Sequence, residues 1–496
     1  MTQCSLRSTL IWFLFPHFLL IGAVTSAAYS KPTEPNLLAY LRLDKAQKGE
    51  PVLPFGLDGL KEETFIIEPM LPEGLGKEDE VLGKAIARDK FSAFRLPFSL
   101  NGFWEARVGV RTQKDPYEKS MSLGETRLQL ELDKRWQRAS FKITSDFLYD
   151  SILNKHGVYI EDGQGWLDLR EVNFSITPTG FMDVKVGRQI LTWGTGDLLF
   201  INDIFPKDWS SFFIGRDLEY LKAPSDAIKV SLFSKMANLD IIYLPRFDAD
   251  RFIDGRRLSY WNALRNSLAG RNFLVYTRKS DRWFGDDEIA WRLFKNIKGY
   301  ELALYGYRGF WKSPAGVSPI SFMATFPKLA VYGASIRGTV LRGIGNVEVG
   351  YYNSEDDRVG LDPFLQNSQL RALVGYEQDV ARNFTVGMQY YLEHTMDFKN
   401  YLRSLSLDAN KADEDRHVIT LRLTKLLLYQ NLTLSLFAYY SPSDQDAHLR
   451  PNIHYNIDDH WAVELGGNIF FGRDDYTFFA QSANNSNMYV SARYSF

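Results

Sequence analysis

Apolar and polar residues alternate along most of the chain after residue 100. In residues 104–111, WEARVGVR, one set of alternate positions holds Trp, Ala, Val and Val, and the other holds Glu, Arg, Gly and Arg. In residues 127–133, RLQLELD, Leu128, Leu130 and Leu132 likewise alternate with polar residues. Successive side chains of a β-strand point to opposite faces, so this period of two predicts strands with one apolar and one polar face.

The pattern recurs often enough to predict about eighteen strands, within a range of sixteen to eighteen. A soluble β-sandwich and a membrane barrel share this alternation, and they differ in whether the polar face points to bulk water or into a lumen. Alternation alone therefore leaves both folds open. The further segments are residues 141–149, 166–176, 182–190, 228–233, 239–244, 289–294, 300–307, 329–336, 346–352, 370–377, 384–393, 418–425, 432–440, 449–456, 461–469 and 488–496.

Connection lengths decide between these folds, because long and short connections alternate along the chain. Long ones include residues 112–121, 150–165, 194–226 and 246–288, and brief ones include residues 177–180 and 295–296. Outer-membrane barrels have long extracellular loops and short periplasmic turns, whereas a sandwich or propeller has no reason to sort loops by parity. We predict an all-β fold, a transmembrane antiparallel barrel with both ends periplasmic.

Both termini fit an exported barrel. Arg7, the apolar residues 10–24 and the small residues 25–28 predict a signal peptide over residues 1–28. A membrane anchor is the alternative, but the apolar run is shorter than the ~20 residues that a spanning helix needs. Residues 29–100 then form a periplasmic or lumen-associated extension, and residues 101–496 form the barrel. The C-terminal strand, which ends on Phe496, resembles those by which the barrel-assembly machinery recognises outer-membrane proteins.

Composition narrows the function classes. The formal net charge is -2, from 58 basic and 60 acidic residues, which argues against a nucleic-acid partner. The one cysteine, Cys4, lies in the predicted signal peptide, so the mature chain would have no disulfide or thiolate site. Neither an HExxH nor a GxSxG motif occurs. We therefore expect no enzyme activity, no catalytic residue, no metal site and no cofactor, and we interpret the acidic pairs Asp248/Asp250, Asp286/Asp287 and Asp356/Asp357 as solvated loop residues rather than calcium ligands.

Residues 194–226 form the third long connection and combine aromatic and charged residues. Six aromatic residues give this segment a surface to bury, and an exposed loop carrying them would present an unusually large apolar patch. We predict that the segment folds into the barrel and narrows it, and the alternative is a surface loop with its own aromatic core. The charged residues predicted to line the aperture are Asp197, Asp203, Lys207, Asp208, Arg216, Asp217, Glu219 and Lys222.

On the strands, the polar face predicts further pore-lining residues, among them Arg107, Arg127, Arg371 and Arg422. Charges of both signs share this face, which favours a transverse field over a ring of one sign. The tyrosines of the same face are interpreted as wall packing. Arg170 and Arg188 fall on the apolar face by strict alternation, so each lies near a membrane interface or is turned inward by a bulge such as one at Gly187. Arg188 is predicted to tie the internal loop to the wall or to contact solute.

A resemblance to a known group rests on three motifs. The motifs are LREVNF at residues 169–174, VGRQILTWGTGD at residues 186–197 and IFPKD at residues 204–208. They resemble the LREAY…GRQ…WG…D…NP.D pattern of uncharacterised proteobacterial outer-membrane families, which are similar to alginate-export-type porins. The resemblance covers about forty residues closely and implies a large pore with an internal loop. Phe205 precedes Pro206 where the related pattern has Asn, so no substrate is carried over.

Two function classes follow for a protein of the Gram-negative outer membrane, in contact with its lipid. The first is a porin-like channel for passive transport of small polar solutes or oligomers. The second is a structural sleeve around a partner such as a periplasmic electron-transfer cytochrome. The chain has no CxxCH haem motif, so any haem would belong to that partner.

Overall fold

The computed structural model describes residues 98–153, 155–406 and 409–496. The predicted signal peptide and almost all of the predicted extension lie outside these residues. Among the helices of the described part, none has the length and apolar character needed to cross a membrane.

Eighteen strands form one antiparallel sheet, and each strand pairs with its neighbours in the chain. The first strand, β1, also pairs with the last, β18, from Phe103 opposite Ser495 to Arg111 opposite Asn487, which closes the sheet into a barrel. The prediction of a closed barrel with an even strand number is therefore confirmed. The strands are β1 Ser99–Arg111, β2 Met121–Arg135, β3 Ala139–Asp150, β4 Leu167–Thr179, β5 Met182–Ile190, β6 Pro224–Leu232, β7 Asn238–Leu244, β8 Glu288–Ile297, β9 Tyr300–Phe310, β10 Lys328–Val340, β11 Gly343–Ser354, β12 Gln369–Ala381, β13 Phe384–Thr395, β14 Asp415–Leu427, β15 Leu432–Ser441, β16 Asp446–Asn456, β17 Trp461–Gly472 and β18 Asn487–Ser495.

The two faces of the strands separate as the alternation predicts. Leu128 lies opposite Trp104 and Phe147, and the latter two are exposed on the outer surface. Glu105 and Arg127, one residue away in the sequence, are buried inside the barrel. An apolar exterior around a polar interior is the inverse of a soluble core, and it is typical of outer-membrane barrels.

The connections also alternate in length, apart from one. Turns such as residues 180–181, 298–299 and 341–342 lie at the end of the barrel where β1 begins and β18 ends. Connections such as residues 151–166, 191–223 and 245–287 lie at the opposite end, which we call the outer end. The connection at residues 442–445 is short although its parity is that of an outer one.

Helices and small sheets occur almost entirely in the outer connections. Helix α1 spans Trp209–Ile214 and helix α2 spans Phe398–Ser404, and 3-10 helices span Leu218–Leu221 and Ala480–Asn485. A further 3-10 turn, Leu428–Gln430, lies in a short turn between β14 and β15. The short strand pairs are Val158–Tyr159 with Gln164–Gly165, Tyr260–Asn262 with Ser267–Ala269, and Ala324–Thr325 with both Thr277–Arg278 and Gly316–Val317.

Candidate pore and its internal loop

The third outer connection, residues 191–223, folds into the barrel and packs its aromatic residues on the wall. The Phe212 and Phe213 rings are 3% and 4% exposed, and both contact the His448 ring on β16, with centroids 5.8 and 5.5 Å away. The Trp193 ring meets the Phe205 ring edge-on at 4.9 Å and lies 6.1 Å from the Tyr305 ring on β9. These contacts with strands on different sides of the barrel place the segment inside it, rather than in a separate loop core.

A single carboxylate on β11 fixes the first part of this loop. The Glu348 side chain accepts hydrogen bonds from the backbone N–H groups of Thr195, Gly196 and Asn202, at 2.8, 3.1 and 2.7 Å. It also accepts one from the Thr195 hydroxyl at 3.0 Å. Glu348 is 1% exposed, so these donors replace the water that a carboxylate otherwise needs. Alternation places Glu348 on the polar face of its strand, but it does not identify this residue as the anchor of the loop.

Asp197 meets the wall at β13 and β14. Its carboxylate forms an ion pair with Arg422 on β14, including a 2.6 Å hydrogen bond from Nη2 to Oδ1. Its backbone N–H donates to the Gln389 side chain on β13 at 2.8 Å. The Asp197 and Arg422 side chains are 32% and 19% exposed, so both of these predicted pore-lining residues keep contact with the lumen.

Helix α1 crosses the interior and is capped at both ends. Asp208 caps its first turn, accepting a 2.7 Å hydrogen bond from the Ser211 backbone N–H. Gly215 ends it with φ of 91°, a left-handed conformation that favours glycine. The Gly215 carbonyl then accepts a 2.7 Å hydrogen bond from Arg107 on β1, and Arg216 forms a two-pronged ion pair with Glu125 on β2.

The last part of the loop runs along β18 and β4. Arg493 on β18 donates to Asp217 at 3.1 Å and to Glu219 at 3.5 Å. Both carboxylates remain partly exposed, at 37% and 44%. The side chain of Glu219 is open to the lumen rather than to bulk water, and this enclosure, together with Asp217, raises the pKa of Glu219 to about 7.

Several predicted aperture residues support the loop instead of facing water. Lys207 is 3% exposed and donates to Asp203 at 3.0 Å and to the Phe205 carbonyl at 2.6 Å. Asp203 also accepts a hydrogen bond from the Thr192 hydroxyl at 2.8 Å. Asp208, the cap of α1, is 3% exposed. Their charged groups contact protein, which leaves Asp197, Asp217, Glu219, Arg422 and the half-buried Lys222 as the predicted residues with access to the lumen.

Tyr220 links the loop to two arginines of the wall. The Arg127 guanidinium lies 4.0 Å from the ring centroid and also pairs with Asp146. The Arg170 guanidinium lies 4.8 Å from the same ring and donates to the Glu219 carbonyl at 2.9 Å. Arg127, predicted to line the pore, is thus 3% exposed and serves as a loop contact.

A bulge explains how Arg170 reaches the interior. Thr144 on β3 pairs with Glu171 and the next residue, Ser145, pairs with Leu169, so Arg170 is an extra residue in β4. The extra residue interrupts the alternation of β4, so the Arg170 side chain points into the barrel, where it is 3% exposed. The inward bulge that the sequence analysis considered therefore occurs at Arg170 itself.

Arg188 is also buried, but no register shift accompanies it. Gly187 has φ of 119°, and the register of β5 with β4 continues unbroken across it. The Arg188 guanidinium donates to the Leu169 carbonyl at 2.7 Å and to the Ile160 carbonyl at 2.8 Å. Arg188 also pairs at 3.4 Å with Asp226, the last residue of the predicted segment 194–226, which lies on β6. Arg188 thus ties β5 to β4, to the second outer connection and to β6 directly after the loop at residues 191–223.

The remaining predicted lumen residues form ion pairs and ring contacts. Arg107 is 2% exposed and pairs with Glu105 and Glu464. Arg371 pairs with Glu393 and lies 4.0 Å above the Tyr352 ring. Charges of both signs are therefore neutralised locally along the wall. The six tyrosines of this face are at most 5% exposed, which confirms their interpretation as wall packing; they are Tyr305, Tyr307, Tyr352, Tyr391, Tyr439 and Tyr489.

The fourth outer connection, residues 245–287, contributes buried residues that the sequence analysis missed. Arg251 pairs with Asp168 on β4 at 2.8 Å and with Asp208 at 3.5 Å. Arg257 pairs with Glu125 at 3.1 Å and also with Asp150 at the end of β3. Two arginines thus hold this connection against the barrel mouth. Long connections rich in Arg and Asp carry no periodic signal, so only pairing in space reveals these contacts.

The interpretation of the acidic pairs as solvated is wrong for four of their six residues. Asp248, Asp250, Asp286 and Asp357 are each 8% exposed. Asp250 accepts hydrogen bonds from the Lys207 backbone N–H at 2.7 Å and from the Ser313 hydroxyl at 2.6 Å. Burial is tolerated because backbone and hydroxyl donors replace water. Within the described ranges, no group of three His, Cys, Asp or Glu side chains could hold a metal ion.

These features define the chain as an outer-membrane-type β-barrel of eighteen strands with an outer connection folded into its lumen. The chain is similar to three solved structures: OccAB3 of Acinetobacter baumannii, OccD3 (OpdP) of Pseudomonas aeruginosa and a mutant of the Rh. blastica porin. Their sequence identities are 11%, 9% and 11%, with TM-scores of 0.49, 0.47 and 0.36. Each alignment covers 80% of this chain, and it covers 99%, 91% and 100% of the other chain. No family model and no curated protein matches the sequence.

Proposed function

We propose that this protein is a porin-like channel of the Gram-negative outer membrane that passes small polar solutes by diffusion. The observation that carries the proposal is the interior of the barrel, where an inserted loop leaves charged side chains of both signs partly open. Asp197 and Arg422 form one such pair, and Asp217 and Glu219 face Arg493 in another group. Groups of this kind suit a wet, narrow passage, because fixed charges of both signs compensate the loss of bulk water for polar solutes.

The sleeve alternative receives no specific support from the described residues. A sleeve needs an interior free for its partner, and here the loop at residues 191–223 occupies the interior with contacts to β1, β11, β14 and β16. The likeness to alginate-export-type porins remains a prediction of the sequence motifs.

Reconstitution in planar bilayers tests the proposal. We expect discrete conductance steps from the purified barrel, and a larger step after deletion of residues 209–214, which removes helix α1 from the interior. Heat-modifiable electrophoretic mobility reports that the deletion variant is folded. A folded wild-type barrel that conducts no ions would refute the channel proposal.

Charge substitution gives a second, more local test. Arg422→Gln leaves Asp197 without its partner, so we expect the reversal potential in a salt gradient to shift toward cation preference. Arg403→Gln is the matched control, because Arg403 is an exposed basic residue on helix α2 in another outer connection. A shift of equal size in both variants would contradict the assignment of Arg422 to the passage.

A further inference from the structure

A cavity of about 300 Å³ lies at the outer end of the barrel, between the second, third and fourth outer connections. About half of its lining residues are charged, with acids and bases in equal number; they include Glu161, Asp208, Asp248 and Arg257. A volume of this size exceeds what a bare ion requires and accommodates a small organic solute.

Most of the charged residues that line this cavity are already paired with one another. Arg257 pairs with Asp150, Arg256 with Asp254, and Lys279 with Glu161. Each of these pairs consumes one acid and one base, so it offers little net attraction to a charged solute.

Four charged lining residues form no ion pair with the described residues: Lys155, Asp162, Asp248 and Asp250. Of the two buried carboxylates among them, Asp250 accepts hydrogen bonds from the Lys207 backbone N–H, the Trp209 indole and the Ser313 hydroxyl, whereas Asp248 has no such set of donors.

Asp248 is 8% exposed, and one carboxylate oxygen accepts a 3.3 Å hydrogen bond from the Asp226 backbone N–H. The other oxygen, Oδ1, accepts no hydrogen bond from any residue in the described ranges, and none of their basic groups lies within 4.0 Å of the carboxylate. Lys312 donates to the Asp248 backbone carbonyl at 3.0 Å, and its ammonium group pairs with Glu288 rather than with the Asp248 carboxylate.

A buried carboxylate without a cation is unfavourable unless something supplies the missing charge. Burial raises the pKa of the Asp248 carboxyl, and the neighbouring Asp226 raises it further, while Lys279, Lys312 and Arg188 act against this from a distance. A positively charged group in the cavity would compensate this carboxylate directly.

We propose that the cavity binds the ammonium or guanidinium group of a small organic cation, with the Asp248 carboxylate as its acceptor. A metal ion fits less well, because no three acidic or histidine side chains of the described residues converge there and divalent cations need several oxygen ligands. An ammonium group is satisfied by one charged acceptor and a few neutral ones. The exposed ring of Tyr276, which also lines the cavity, offers a face for the cation.

This binding site rests on the proposed channel function, since it would lie at the entrance of the channel. Binding can nevertheless be measured without measuring conduction. Isothermal titration of the detergent-purified full chain with putrescine, which carries two ammonium groups, is the direct measurement. Butane-1,4-diol and succinate have the same carbon number and are the neutral and anionic controls. We expect putrescine to bind and the other two not to bind.

Asp248→Asn is the specific variant, and Asp413→Asn is its matched control. Asp413 is an exposed carboxylate of another outer connection and does not line the cavity. Because a hydrogen bond to a charged group contributes about tenfold to a hundredfold in affinity, we expect Asp248→Asn to weaken putrescine binding at least about tenfold. Asp413→Asn should bind as the wild type does.

Three results would overturn the site: no binding of putrescine to the wild type, equal binding of succinate, or unchanged binding in folded Asp248→Asn. The comparison of the three ligands on the wild type holds even if that variant does not fold. A barrel that binds putrescine in detergent but conducts nothing in bilayers would support the site and refute the channel, so the two failures are distinguishable.

Discussion

Replacing Glu348 by glutamine should release the first part of the internal loop from the wall. The carboxylate accepts from three backbone N–H groups and one hydroxyl, divided between its two oxygens. Glutamine keeps one oxygen and presents an NH₂ group to the remaining donors. If the amide oxygen faces Thr195 and Gly196, the Asn202 N–H lacks an acceptor. If it faces Asn202, the N–H groups of Thr195 and Gly196 both lack one.

Each unsatisfied buried donor costs about 1–3 kcal/mol, so the loop should lose about 1–6 kcal/mol of attachment. This is comparable with the whole stability of a locally folded segment. We therefore expect a larger and noisier single-channel conductance in planar bilayers, together with faster proteolysis within residues 191–223. The barrel itself should remain folded, because its strand pairing does not involve the Glu348 side chain.

Glu377→Gln is the matched control for Glu348→Gln. Glu377 lies on the inner face of the adjacent strand β12, and its carboxylate forms no hydrogen bond or ion pair with the described residues. The control therefore removes one lumen charge without loosening the loop. If Glu348→Gln changes conductance and proteolysis no more than Glu377→Gln does, the reasoning about the loop anchor is refuted.

Three further predictions concern charge and backbone conformation. Because the pKa of Glu219 is about 7, lowering the pH from 8 to 6 protonates it and removes a negative charge, so the reversal potential should shift toward anion preference; the shift should disappear in Glu219→Gln. Arg107→Ala removes the arginine partner of Glu464 and one of the two arginine partners of buried Glu105, the other being Arg493. It should destabilise the barrel by about 3–5 kcal/mol in urea unfolding from vesicles, whereas the exposed Arg135→Ala should change stability little. Gly187→Ala should cost about 1–3 kcal/mol in the same assay, because φ is positive there and a Cβ would collide with a β4 carbonyl, whereas Gly180→Ala meets open space; equal stabilities would contradict it.

The sequence by itself determined the strands, their two faces and the parity of their connections. A period of two is a local property, so Leu128 and Arg127 reveal opposite faces without knowledge of their neighbours. The inward position of the third outer connection was also predictable, because aromatic residues such as Phe212 need a surface to cover them. The third outer connection was predicted at residues 194–226 and lies at residues 191–223. The difference arises because hydrogen bonding, and not hydropathy, determines where β5 ends and β6 begins.

Only the tertiary structure decided which charges face water and which hold the loop. Asp197 and Arg422 are far apart in the chain, yet they form a pair that is open to the lumen. Lys207 is also charged and lies in the same loop as Asp197, but it is buried. Alternation assigns a side chain to a face, but it does not give the depth of that side chain in the barrel or its partner across the lumen. The broken alternation at Arg170 left an interface position and an inward bulge open, and only the pairing of β3 with β4 decided for the bulge. The unpaired Asp248 depends on contacts between separate segments, so no periodic pattern could predict it.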